Sequence, residues 1–136
     1  QDGDSDTESG IALRVFKNEK TKKVGISLEV GFIERKIGKN TLERQNKVLD
    51  LPIKKPLYYF VQFAKNKENC ALDRFEGNES NRKRFLKEWK NGGIRKVLVK
   101  FDVEEIERFE SLDELVEEFL KGFELLIPFY LKTKEI

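Results

Sequence analysis

Residues 24–33 read VGISLEVGFI, and the fold class turns on how they alternate. Val24, Ile26, Leu28, Val30 and Phe32 fall at every second position and so share one face of an extended strand. Gly25, Ser27, Glu29, Gly31 and Ile33 share the other. One face is therefore core, and the other is small and polar around a single carboxylate. Upstream, Ile11–Phe16 alternates in the same manner, and the charged stretch 17–23 (KNEKTKK) reads as the connection of a hairpin. Across that hairpin, Arg14 or Lys17 is placed to pair with Glu29, the ordinary arrangement on a solvated strand face.

Downstream, residues 41–51 (TLERQNKVLDL) read as a helix with Thr41 as N-cap and Leu42, Gln45, Val48 and Leu49 along one side. Pro52 and Pro56 bracket the turn that follows. Residues 57–63 (LYYFVQF) are almost wholly apolar, as in an interior strand. Residues 64–79 read as a polar loop. Ser80–Asn91 reads as a helix with Phe85, Leu86 and Trp89 inward, stopped by Asn91-Gly92-Gly93. Ile94–Phe101 is a further strand. Ser111 and Glu114 form an S-x-x-E capping box ahead of Leu112, Leu115, Val116, Phe119, Leu120, Phe123 and Leu126, which recur at three and four residues. Pro128 is expected to end or kink that helix. The order predicts an α/β fold, a mixed β-sheet of about four strands flanked by helices. Residues 1–10 read as an acidic, flexible lead-in and 11–136 as a single domain, either free-standing or part of a longer chain.

At 136 residues the chain is long enough to bury a core without staples. Cys70 is the single cysteine and there is no histidine, which excludes an internal disulfide, a Cys–His catalytic pair and a His-ligated metal. No apolar run reaches membrane-spanning length and no signal-peptide pattern is present, so a cytoplasmic protein with no membrane partner is expected. The net charge of +2 conceals strong sorting. Residues 1–10 carry four acids and no base. Residues 11–101 carry 23 Lys and Arg against 10 Asp and Glu, and residues 102–126 carry ten acids against two bases. A basic body of this kind favours a polyanionic partner, DNA or RNA, because neutralised phosphates release counterions.

The densest basic stretch is 81–96, NRKRFLKEWKNGGIRK. Arg82, Lys83, Arg84, Lys87, Lys90, Arg95 and Lys96 surround one acid, Glu88, and the only Trp. Read one way this is a solvated helix face over a core of Phe85 and Trp89. Read the other way it is a nucleic-acid surface. The acidic final helix has two uses as well. Its apolar stripe packs on the protein's own sheet, giving a monomer or weak dimer, or it anchors a partner in an adaptor.

One resemblance joins these features. An acid ahead of a hairpin (Asp6 or Asp4), an acid on its second strand (Glu29 in Glu29-Val30-Gly31), then TLERQNKVLDL and LYYFVQF, is similar to the core of the PD-(D/E)XK nuclease superfamily over residues 4–63. The resemblance implies Mg²⁺ held by Asp6 and Glu29, with cleavage of nucleic acid in a restriction or defence setting. Gly31 stands where that family has its lysine, so Lys36 or Lys47 would orient the attacking water. Without a working lysine the same core implies a binding module that does not cut.

Overall fold

The computed structural model describes residues 9–32, 39–66, 68, 69 and 71–135. The hairpin consists of β1 (Ser9–Lys17) and β2 (Val24–Phe32). Helix α1 (Lys39–Gln45) runs into a 3-10 turn at Asn46–Asp50, followed by β3 (Tyr58–Phe63), β4 (Asp73–Glu76), α2 (Glu79–Lys90), β5 (Ile94–Val103) and α3 (Leu112–Thr133). The strands form one sheet in the order β1-β2-β5-β3-β4. Among the described residues no helix is long and apolar enough to cross a membrane.

The α/β class holds, with corrections to the sheet. Among the described residues it has five strands rather than four, and every neighbouring pair is antiparallel rather than mixed. Strand–helix–strand order predicts parallel neighbours. Here β2 and β3 do run the same way, but β5 inserts between them and pairs antiparallel with both. The missed strand, β4, is four residues with a single apolar side chain, which no periodicity marks. Its register places Phe75 opposite Tyr59. Strand β1 starts at Ser9, so Ser9 and Gly10 belong to the sheet and not to the lead-in.

The core fills one face of this sheet. Leu28, Val30, Tyr59, Val61, Val97, Val99 and Phe101 meet Val48 and Leu49 of the 3-10 turn, Phe85 of α2, and Leu126 and Phe129 of α3. Rings of Tyr59, Phe85, Phe75 and Phe63 pack edge to face in succession, with centroids 4.8–5.9 Å apart. Helix α2 is capped by Asn78, whose side chain accepts from the Asn81 amide at 2.8 Å. Half of the predicted capping box of α3 forms: Ser111 Oγ accepts from the Glu114 amide, while the Glu114 carboxylate takes the Glu110 amide rather than that of Ser111. Leu115, Phe119 and Phe123 are half-buried against the core, as their spacing predicts.

Two helix boundaries differ from expectation. Thr41 lies inside α1 rather than at its cap, and the α-helix gives way to the 3-10 turn after Gln45. Pro128 does not end α3, which continues to Thr133. The carbonyl that loses its donor belongs to exposed Glu124, so water can serve it, while buried Phe129 and Thr133 hold the last turns on the sheet.

Candidate functional site

The face of the sheet opposite the core carries the charge. Register aligns Ala12, Glu29, Lys100, Tyr58 and Glu76 as one rung across all five strands. Adjacent rungs bring up Arg14, Ser27 and Asp102 on one side and Leu98, Phe60 and Arg74 on the other. All of these alternate with core residues, so period two alone puts them together. The buried residues of α2 and α3 join the cluster on the Leu28 face, so those helices do not cover this polar face, although its Ser27, Glu29, Tyr58, Leu98 and Lys100 are themselves buried.

Glu29 is its electrostatic centre, at 6% exposure. One carboxylate oxygen accepts from Arg14 Nε at 2.9 Å and lies 3.4 Å from Lys100 Nζ. Lys100 is as buried as Glu29, and its ammonium sits 4.1 Å from the centroid of the Phe60 ring. A second, parallel arrangement lies beside it. Tyr58 Oη donates to Asp102 at 2.6 Å, and Arg74 donates to the other Asp102 oxygen at 3.3 Å while stacking 3.7 Å over the Tyr58 ring. Burial, and then the bond to Asp102, push the Tyr58 hydroxyl above its ordinary range, so Tyr58 is a donor at any physiological pH.

Beside Glu29 the surface dips into a hollow of about 290 Å³ lined by Arg14, Glu29, Phe60, Leu72, Lys96, Leu98 and Lys100. Three cations therefore converge on one carboxylate. Burial holds the Lys96 ammonium below the usual lysine range, Glu29 opposes that shift, and Arg14 adds to it. A hollow with surplus positive charge, an aromatic wall and partly desolvated bases is suited to a phosphate beside a planar ring.

The sequence-predicted residues divide. Arg14, rather than Lys17, is the hairpin partner of Glu29. Asp6 and Lys36 lie outside the described residues. Lys47 donates from Nζ to the Glu135 carbonyl beside the end of α3, in the helix layer and away from the face that bears Glu29. The LYYFVQF strand is separated from β2 by β5. One Glu29 oxygen is engaged by Arg14 and Lys100, and the acid expected to share Mg²⁺ with it, Asp6 or Asp4, lies outside the described residues. Among the described residues, no three His, Cys, Asp or Glu gather to hold a metal.

The basic stretch 81–96 is dispersed over several surfaces. Arg82 forks onto Glu79 and bonds the Leu49 carbonyl, and Arg84 pairs with Glu88. Lys83, Lys87 and Lys90 form an exposed ridge on α2. Arg95 donates to Gln62 Oε1 at 2.8 Å, and of this stretch Lys96 reaches the open-face hollow. Lys100, Phe60 and Arg74 carry no mark in a local reading. Only the pairing of β5 with both β2 and β3 brings them to Glu29. No family model, curated protein or solved structure matches the chain.

Proposed function

We propose that this protein binds single-stranded nucleic acid on the open face of its sheet and does not cut it. One observation carries this reading: Arg14, Lys96 and Lys100 converge on a hollow that, among the described residues, holds a single carboxylate and is walled by the Phe60 ring. The surplus charge attracts phosphate through counterion release, and the ring offers a stacking surface to an unpaired base. A broad antiparallel face from which, among the described residues, no helix projects suits an extended strand better than a duplex groove, which takes a helix or a two-stranded ribbon. The reading without cleavage is supported by the partners of Glu29 among the described residues, Arg14 and Lys100, which are cations rather than acids.

The test is fluorescence anisotropy with short single-stranded RNA and DNA. Binding at low salt should weaken with a log–log slope of about −0.7 for each phosphate neutralised. The Arg14→Glu/Lys96→Glu double variant should lose at least ~10-fold in affinity for every sequence alike, as expected when phosphate contacts are removed. Lys83→Glu/Lys87→Glu on α2 should change little. No binding at low salt, or loss only with the α2 variant, would contradict the assignment.

A further inference from the structure

Among the described residues, strand β1 is an edge of the sheet and carries none of the devices that usually blunt one. Its nine residues pair with β2 without a bulge, it contains no proline, and its charges are Arg14 and a terminal Lys17. On the core side its Leu13 and Val15 are left 59% and 74% exposed. Helix α3 lies over β2 and β5, where Gly122 touches Leu28 and Phe101, and so covers β1 only in part. The flank of α3 that carries positions 118, 125 and 132 faces the 3-10 turn, where Lys132 feels Asp50. The opposite flank, on the β1 side, presents Val116, Leu120 and Ile127, each more than 40% exposed. A bare strand edge and an apolar helix flank thus border the same strip.

We infer that this strip is a homodimer interface, in which β1 pairs antiparallel with β1 of a second copy about a two-fold axis at Leu13. The sequence of the strand argues for that occupant. With Leu13 opposite Leu13, Ile11 meets Val15 of the second copy, Ala12 meets Arg14, and Ser9 meets Lys17. All nine residues find a partner, apolar side chains meet on the helix side, and no like charges oppose. Sliding by two residues in one direction sets Arg14 against Arg14, which is destabilising. Sliding the other way leaves Phe16 and Lys17 beyond the second copy's strand. The strand is therefore self-complementary in one register. Such a two-fold pairing continues the sheet to ten strands, brings the two α3 flanks together above Leu13 and Val15, and sets both open-face hollows on the same side.

Sedimentation equilibrium of the full chain, from low micromolar to submillimolar, should show a monomer–dimer equilibrium. Leu13→Glu with Val15→Glu should raise the dimer Kd about 100-fold, tenfold for each side chain withdrawn from a buried contact. Circular dichroism of the variant reports whether it still folds. Independently, in a Cys70→Ser background, Leu13→Cys should form an intermolecular disulfide under mild oxidation, and Val15→Cys should do so only when mixed with Ile11→Cys. A monomer at all concentrations overturns the inference. So does a dimer whose Kd ignores both glutamates and whose Leu13→Cys form fails to cross-link.

Discussion

Glu29 and Lys100 are each 6% exposed and 3.4 Å apart, so neither charge can be relieved by water alone. Replacing Glu29 by Leu strands the Lys100 ammonium and should cost about 3 kcal/mol in unfolding free energy. Glu29→Leu combined with Lys100→Met removes both charges and should recover most of that loss in chemical denaturation; a double variant as weak as the single would show that the pair is not the cause. Lys96 gives a pH signature. Its ammonium titrates below the usual lysine range because it is partly buried, and a bound phosphate favours the charged form. Affinity for nucleic acid should therefore be complete below the lowered pKa and fall as pH rises through it. Lys96→Arg keeps its charge, so measured affinity should hold to higher pH. The Arg14–Glu29 pair is legible in the sequence, since a hairpin connection fixes which residues face each other. Lys100 is not, because it lies 71 positions further along the chain and only strand order brings it near.

At the scale of elements, the α3–sheet contact depends on Gly122, where an added Cβ would come 2.5 Å from the Phe101 ring and 2.8 Å from Leu28. Both neighbours are buried and cannot move aside cheaply. Gly122→Val should therefore destabilise the fold by ~2 kcal/mol or more, read as a lowered denaturation midpoint with unchanged slope. Gln45 performs a different task. Where β2 and β5 part, its Nε2 donates to the carbonyls of Val30 at 3.2 Å and Val97 at 2.7 Å, and Asn46 takes the Val97 amide and donates to the Arg95 carbonyl. Gln45→Leu leaves two buried carbonyls without donors and should cost about 1–3 kcal/mol in the same assay. The helices and long strands were readable because apolar residues recur at their periods. The 3-10 turn was not, since Gln45 just before it and Asn46 within it are polar residues serving the sheet backbone. The passage of α3 through Pro128 is decided by packing of Phe129 and Thr133, which no local rule contains.

Across the whole molecule, the sorting of charge along the chain does not translate into one basic surface. Two bases of residues 11–101 are held by acids of the same stretch within the helix layer, Arg82 by Glu79 and Arg84 by Glu88. The lysines of α2 project from the helix layer, while Arg14, Lys96 and Lys100 gather on the opposite side of the sheet. Composition could show a preference for polyanions; only the fold distinguishes a ridge of solvated lysines from a hollow in which cations are held beside a ring. The most direct measurement is an NMR titration of the isotopically labelled protein with a short single-stranded oligonucleotide. Shifts should concentrate on Arg14, Glu29, Phe60, Lys96, Leu98 and Lys100, leaving Lys83, Lys87 and Lys90 nearly still. Shifts centred on α2, or none at low salt, would contradict the open face as the binding surface.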